Sequence, residues 1–182
     1  MKFVSKKFLL SLVALLAFSM ILPVAAGTTW YVDDDGGSDF TSIQDAVDAS
    51  SAGDTIIVRD GTYTENVDVK KRLTIRSENG LPNCIVNASI THDHVFDVTA
   101  DYVNISGFAV KGATSTVGIY LYGVEHCIIS NNTVSNNDED IYLDHSNNKL
   151  TGNTAFNNED GIRLSGSNNN TLTGNTANNN YC

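Results

Sequence analysis

Three copies of one pattern lie at the end of the chain: GIYLYGVEHCIISNNTVSNNDE (residues 118–139), DIYLDHSNNKLTGNTAFNNED (residues 140–160) and GIRLSGSNNNTLTGNTANNNYC (residues 161–182). Ile119, Ile141 and Ile162 are equivalent, at spacings of 22 and 21 residues. A constant period near 22 residues with short apolar patches is typical of a solenoid, in which each repeat packs on its neighbours. This stretch therefore predicts a repeat architecture.

Each copy carries an apolar-x-apolar patch, which places its apolar side chains on one face of a strand. The residues between the patches are Gly, Asn, Ser and Asp, which form tight turns and tolerate left-handed backbone. One copy is too short for a strand and a crossover helix, but it fits one coil of a parallel β-helix. Coils of this kind stack about 4.8 Å apart. The chain length then predicts roughly six coils.

Asparagine follows the same period. It makes up 16 of the 50 residues from 131 to 180, and it recurs at equivalent positions. Asn132, Asn153 and Asn175 are equivalent, as are Asn148 and Asn170. In stacked coils these amides can hydrogen-bond to one another as an asparagine ladder. A disordered Asn-rich tail is the alternative, and the constant phase of the apolar positions argues against it.

The N-terminal 26 residues have the pattern of a secretory signal peptide: three lysines, an apolar core at 8–22 and small residues at 24–26. Membrane contact is expected only through this segment before its cleavage; an uncleaved anchor is the alternative. The formal net charge is −10, and removal of the three lysines makes it −13. Such a charge excludes nucleic acid as a partner, because phosphates require a basic face.

The mature part, residues 27–182, is predicted to be one domain with three regions. Residues 27–53 form an N-terminal cap with a short helix, for which Thr41 and Gln44 suggest a capping box. Residues 54–117 form irregular coils, and residues 118–182 the regular repeats. The last coil has no cap in the sequence, which predicts truncation or end-to-end self-association there.

A family resemblance rests on five motifs in order: WYVDDDG, DFTSIQDAVDAS, GDTIIVRDGTYTENVDV, KRLTI and the Asn-rich repeats. Together they resemble secreted right-handed parallel β-helix proteins of the pectin-lyase-like superfamily. The nearest pattern is the NosD-like, carbohydrate-binding and sugar-hydrolase type found in archaeal surface proteins. The resemblance implies an all-β, right-handed parallel β-helix with a short N-terminal capping α-helix. It does not select an activity, because function resides in sites grafted on a fold.

Outward positions of the first strand in each repeat predict a carbohydrate-binding face. With the apolar patches inward, Tyr120, Tyr142 and Arg163 form one outward column, and Tyr122 and Asp144 lie beside it. Aromatic rings bind the apolar faces of sugars, and carboxylates bind hydroxyl groups. The alternative is that tyrosine is simply a good strand former.

Acidic residues recur at the turn before this strand, where Asp138 stacks on Glu159 and Glu139 on Asp160. Carboxylates held roughly 5 Å apart on neighbouring coils repel unless a cation or a proton intervenes. The four residues are therefore candidates for a calcium site, and Asp138 and Glu159 for catalytic acid and base. A solvated turn with splayed side chains is the alternative. Calcium is the one cofactor that this pattern suggests.

Histidines and cysteines give further candidates. His92 and His94 form an H-x-H that could hold copper or zinc if it lay in a strand, and the same residues also read as a polar turn. Cys84 and Cys127 are predicted to be buried, and Cys182 to be free at the chain end. No obligatory disulfide is expected.

These observations predict a secreted or cell-surface β-helix module that binds a polysaccharide or cell-surface glycan, or another partner, without catalysis. Two alternatives remain open. One is a fragment of a polysaccharide lyase or glycoside hydrolase. The other is a NosD-like copper-accessory protein.

Overall fold

The computed structural model describes residues 27–181, so the predicted signal peptide and Cys182 lie outside the described part. That part is an all-β parallel β-helix with one short helix, as the repeats and the resemblance predict. The helix α1 is Ile43–Ala49. The strands are β1 Thr29–Val32, β2 Thr55–Val58, β3 Gly61–Thr64, β4 Val67–Val69, β5 Thr74–Ser77, β6 Cys84–Asn87, β7 Phe96–Val98, β8 Asn104–Ser106, β9 Ala109–Lys111, β10 Val117–Tyr122, β11 Glu125–Ser130, β12 Thr133–Ser135, β13 Glu139–Asp144, β14 Asn147–Thr151, β15 Thr154–Phe156, β16 Asp160–Ser165, β17 Thr171–Thr173 and β18 Thr176–Asn178.

The strands form three parallel sheets that wrap around one core. Sheet A has the order β1-β2-β5-β8-β11-β14-β17, sheet B β18-β15-β12-β9-β6-β3, and sheet C β16-β13-β10-β7-β4. Each coil contributes one strand to sheet A, so the seven strands of this sheet correspond to seven coils. The estimate of six coils was wrong, because β1 already pairs with β2 and begins a coil of its own.

The corners between the sheets use backbone that few residue types adopt. At the corner between sheets A and B, each of the last four coils has one residue with a positive φ: Gly107, Asn131, Gly152 and Gly174. Glycine lacks the Cβ that makes this conformation costly, and asparagine tolerates it better than most residues. The Gly and Asn of the repeat therefore turn the chain at fixed points and keep the strands in register.

The core consists of inward side chains stacked from coil to coil. Ile119 pairs with Ile141, and Leu121 with Leu143, and all four are fully buried. Burial of such a side chain stabilises the fold by about 1.5–3 kcal/mol relative to exposure. The apolar-x-apolar patch thus supplies one continuous core.

Asparagine side chains join neighbouring coils at the corner between sheets A and B. Asn153 Oδ1 accepts hydrogen bonds from the backbone N and from Nδ2 of Asn132, each at 3.1 Å. Asn153 Nδ2 donates to Asn175 Oδ1 at 2.9 Å and to the Ile129 carbonyl at 2.8 Å. Asn132 and Asn153 are fully buried. These bonds satisfy backbone groups that the turn leaves without a strand partner.

The other two corners have corresponding bonds. Between sheets B and C, the Asn137 backbone N donates to Asn158 Oδ1, and Asn158 Nδ2 to Asn180 Oδ1, both at 2.9 Å. Between sheets C and A, the Asn148 backbone N donates to Asn170 Oδ1 at 2.6 Å. All three corners of the regular repeats therefore carry asparagine contacts between coils.

Helix α1 covers the open first coil with its buried residues Ile43, Ala46 and Val47. Its N-cap is Ser42, so the capping box at Thr41 was wrong. The carboxylate of Glu65, from the following coil, accepts hydrogen bonds from the backbone N of Ile43 at 2.9 Å and of Gln44 at 2.8 Å. Glu65 therefore accepts the hydrogen bond from the Gln44 backbone N that the predicted capping box assigned to Thr41.

The C-terminal end of α1 is held from the same coil. Lys71 Nζ donates to the carbonyls of Val47, Asp48 and Ser50 at 2.9–3.1 Å. A cation at this end compensates the unpaired carbonyls of the last turn. Both ends of α1 are thus fixed by side chains of the second coil.

Between residues 27 and 181, no helix has the length and hydropathy that a membrane span requires.

Candidate functional site

The outward face of sheet C carries the column that the repeat register predicts. Tyr120 pairs with Tyr142, and Tyr142 pairs with Arg163 on the next strand. On the other side, Tyr120 pairs with Asp97 of β7. The two tyrosines are half-buried, so their rings lie along the sheet while one surface remains open to solvent.

The side chains of this column contact one another with tilted rings. The ring centroids of Tyr120 and Tyr142 are 5.3 Å apart, and Arg163 Cζ lies 4.7 Å from the Tyr142 centroid. His94 stacks on Tyr120 from the other side, with centroids 4.5 Å apart. The distance of Arg163 from the ring fits a cation–π contact. The result is a row of aromatic rings in contact, inclined to one another by 34° and 48°.

A groove opens beside these rings, with a volume of about 290 Å³. We call it the sheet C groove. Its lining residues are His94, Ser115, Thr116, Val117, Tyr120, Asp138, Glu139 and Tyr142. Residues that the sequence placed in three separate candidate sites, for sugar, calcium and copper, therefore meet at one surface.

Tyr122 and Asp144 flank the column, as their register predicts. Tyr122 pairs with Asp144 and is 55% exposed, and its ring centroid lies 6.2 Å from that of Tyr120. The Tyr120 hydroxyl donates to Asp144 Oδ2 at 3.4 Å. Burial raises the pKa of Tyr120 to about 12, and the negative charge of Asp144 adds to this. Tyr120 is therefore a hydrogen-bond donor throughout the neutral range.

Carboxylates of the preceding turn divide between two places. Asp138 and Glu139 line the sheet C groove, whereas Glu159 lines another cavity with Asn158 and Tyr181. The Glu159 backbone N donates to the Asp138 carbonyl at 2.8 Å, so the two residues are neighbours through their backbones. The structure therefore does not bring the two candidate catalytic carboxylates into one groove.

Glu139 forms an ion pair with Arg163, whose Nη1 also lies 3.9 Å from Asp160 Oδ2. Burial raises the pKa of Glu139, and the bond from Arg163 opposes this shift. Within residues 27–181, the one set of three ligand atoms that approach within 4.8 Å of one another belongs to Asp33, Asp34 and Asp35. The four carboxylates proposed for calcium therefore do not form such a set.

The H-x-H motif lies in the turn before β7, not in a strand. His92 is exposed, whereas His94 is half-buried in the groove. His94 Nδ1 lies 2.8 Å from Thr116 Oγ1, a contact that orients the ring against Tyr120. The two histidines thus belong to a polar turn, which was the alternative to a strand. Of their two imidazoles, only that of His94 reaches the groove.

Asp140 is a buried carboxylate behind the groove. It accepts hydrogen bonds from Asn137 Nδ2 at 2.9 Å and from Asn158 Nδ2. Burial raises the pKa of Asp140 to about 7, although the bonds from Asn137 and Asn158 lower it. The equivalent residues of the neighbouring repeats are Gly118 and Gly161. An acidic residue at a position that is otherwise glycine was therefore visible in the sequence.

The two cysteines of the described part are buried, as predicted. Cys84 and Cys127 are both fully buried and have free thiols. Burial raises the pKa of Cys84 to about 12 and that of Cys127 to about 11. Cys127 occupies the asparagine position of later repeats, and its backbone N donates to Asn148 Oδ1 at 2.8 Å.

Asp97 of this surface was missed from the sequence, and His94 was predicted only as a metal ligand. Asp97 extends the tyrosine column, and an alignment of Phe96 with Ile119 would have located it. His94 reaches Tyr120 from a loop, for which the period gives no signal.

The sequence and the fold resemble those of known proteins. The model of the NosD family, described as periplasmic copper-binding protein, matches residues 47–182. A cell surface glycoprotein of Methanothermus fervidus is 38% identical over 133 residues, which are 72% of this chain and 21% of that protein. The chain thus spans about a fifth of the length of this relative.

Solved structures share the fold at low identity. A pectate lyase matches with a TM-score of 0.64 and 19% identity, over 84% of this chain and 48% of that one. A rhamnogalacturonan lyase matches with a TM-score of 0.57 and 17% identity, over 83% and 51%. A pectin methylesterase in complex with a hexasaccharide gives 0.52 and 12%, over 71% and 54%. At these identities the likeness concerns the right-handed parallel β-helix alone.

Proposed function

The chain belongs to the NosD family, and from this premise we propose that it is an exported, cell-surface β-helix module that binds carbohydrate and does not cleave it. The family and the relative named as a cell surface glycoprotein fit a surface β-helix module. The predicted signal peptide supports export. The ligand-binding part of the proposal rests on sheet C.

The observation that carries the proposal is the contiguous row of His94, Tyr120, Tyr142 and Arg163 beside the sheet C groove. Neighbouring strands are about 4.8 Å apart, so successive rings offer apolar surfaces at a constant repeat. Aromatic rings pack on the apolar faces of sugars, and the polar residues around a groove fix their orientation. A linear glycan can therefore lie across the strands.

Binding is favoured over cleavage by the placement of the acids. Asp138 lies in the groove and Glu159 does not, and the other carboxylate of the groove, Glu139, is held in an ion pair by Arg163. The groove therefore does not offer the two unpaired carboxylates that hydrolysis uses. If the protein were a hydrolase, it would shorten a bound oligosaccharide and lose that activity in Glu159→Gln. A glycan recovered at its original length supports the binding role.

Copper is named in the family description, but the histidines of residues 27–181 do not converge on a metal site. His94 approaches Thr116 through Nδ1, and His92 is exposed outside the groove. No histidine among residues 27–181 belongs to a set of three ligand atoms within 4.8 Å of one another. These residues do not fit a copper centre, so the proposal assigns no role to the metal.

A glycan array followed by calorimetry tests the proposal. Tyr142→Ala removes a ring from the middle of the row, and loss of about 1.5 kcal/mol of stacking weakens binding roughly tenfold. Tyr102→Ala is the matched control, because Tyr102 is 53% exposed but does not line the groove. It should leave affinity unchanged. Absence of glycan binding, or equal losses in both variants, would refute the proposal.

A further inference from the structure

The charge of the groove carries a more specific inference, which rests on the proposed function. We infer that the sheet C groove takes a glycan that bears protonated amines, such as an oligomer of glucosamine, in preference to neutral or acidic glycans. Nothing in the family description or in the names of the relatives assigns such a ligand. The inference follows from charge balance, from unpaired carboxylate oxygens and from the rings.

The outward face of sheet C and its rim have an excess of negative charge. Their acidic residues are Asp68, Asp97, Asp138, Glu139, Asp144 and Asp160, and their lysine and arginine residues are Lys70 and Arg163. Six acids against two permanent cations leave a formal charge of −4 along this face. An acidic glycan laid across it would be repelled, and a positively charged one attracted.

The two cations are already paired. Lys70 Nζ lies 2.5 Å from Asp68 Oδ2, and Arg163 pairs with Glu139 and approaches Asp160. Neither is therefore free to bind the carboxylates of a uronic acid. The histidines of this surface add positive charge only when protonated.

Two carboxylates beside Tyr120 have an oxygen that is shielded from solvent and accepts no hydrogen bond from any residue between 27 and 181. These oxygens are Asp97 Oδ1 and Glu139 Oε2; Asp144 Oδ1 is shielded too, but it lies 2.7 Å from His145 Nδ1. Burial also raises the pKa of both side chains, which reflects the cost of their charge in this position. Glu139 lines the groove, and Asp97 is the neighbour of Tyr120 on β7, so an ammonium group in the groove would offset part of this cost through its charge.

The tyrosine rings favour the same ligand. A cation over the face of an aromatic ring is stabilised by about 0.5–2 kcal/mol. Arg163 already occupies such a position over Tyr142. The groove also borders Tyr120, where a cation of the ligand can take a similar position. An amino sugar presents both an apolar ring face and a positive charge, and so it matches rings and acids together.

A single metal ion fits this face less well, since its carboxylates do not converge as a set of three. They are distributed along successive strands, at a repeat of about 4.8 Å. A chain of regularly spaced charges fits such a distribution. A basic peptide would share the positive charge but lacks the apolar sugar-ring face that packs on tyrosine.

The test compares hexasaccharides of glucosamine, of N-acetylglucosamine and of galacturonic acid, titrated into the full chain by calorimetry. The glucosamine hexamer should bind at least tenfold more tightly than its acetylated counterpart, and the galacturonate hexamer should not bind. The preference should shrink between about 0.1 and 1 M salt, because the Debye length falls from about 10 to 3 Å.

Variants locate the effect. Asp138→Asn removes a carboxylate that lines the groove; it should weaken binding of the glucosamine hexamer about threefold or more and leave binding of the acetylated hexamer unchanged. Asp60→Asn is the control, because Asp60 is an exposed acid between sheets A and B and its loss removes the same charge from the chain. It should bind both hexamers like the unaltered protein.

Each remaining outcome decides between the two proposals. Equal affinity for the amino and acetylated hexamers overturns the inference and leaves carbohydrate binding intact. Failure of every hexamer and of the glycan array overturns both. Hexalysine that binds as tightly as the glucosamine hexamer, with no change in Tyr142→Ala, would show that charge alone acts and would also overturn the inference.

Discussion

Replacement of Asn153 by alanine tests whether asparagine contacts between coils hold the regular repeats together. The fully buried side chain makes four hydrogen bonds: two accepted from Asn132, and one donated to each of Asn175 and Ile129. Alanine leaves the Asn132 backbone N and the Ile129 carbonyl without this partner. Each buried group left unsatisfied costs about 1–3 kcal/mol, so the free energy of unfolding should fall by roughly 2–6 kcal/mol.

Urea unfolding followed by circular dichroism measures this loss, and hydrogen exchange of the Asn132 amide locates it. The control is Asn168→Ala, because Asn168 is exposed and lies outside the strands. Its effect should stay within about 0.5 kcal/mol. If Asn153→Ala unfolds at the same urea concentration as Asn168→Ala, and the Asn132 amide remains protected, the reasoning about these contacts is wrong.

Three further predictions concern other side chains. Because the pKa of Asp140 is raised to about 7, the free energy of unfolding should be highest below pH 4 for this group and fall as the pH rises through 7. Asp140→Gly, which restores the residue of the neighbouring repeats, should flatten that decline in urea titrations at several pH values. Glu65→Ala should destabilise the cap by about 1–2 kcal/mol, measured as faster amide exchange in α1, whereas Glu78→Ala, an exposed acid elsewhere, should not. Cys84 and Cys127 should resist iodoacetamide at pH 8 in the folded protein and react fully in urea; labelling without denaturant would contradict their burial.

Features with the period of the repeat could be predicted from the sequence. The register of Tyr120, Tyr142 and Arg163 follows from equal spacing, because parallel strands of one sheet align equivalent residues of successive coils. The hydrogen bonds among Asn132, Asn153 and Asn175 join residues that the same spacing makes equivalent. Local sequence determines these contacts because every coil repeats the same turn.

Features outside the period could not be predicted in the same way. Glu65 caps α1 from the next coil, a contact between distant residues that no local capping pattern encodes. His94 reaches the groove from an irregular loop, so its partner Tyr120 could not be inferred from spacing. The candidate acids were grouped by register alone, but Asp138 and Glu159 line different cavities. The sequence therefore predicted residues of the sheet C groove as separate sugar, calcium and copper candidates, but not that they line one groove.

The anchoring of α1 has a consequence for how the chain is made. Residues 43–49 leave the ribosome before Glu65 and Lys71, the side chains that hold their two ends. At about 5–20 residues per second, the 22 residues between Ala49 and Lys71 take roughly 1–4 s to synthesise. Seven residues are too few for a stable helix in water during that interval. The first coil and its cover thus assemble only once the second coil has emerged.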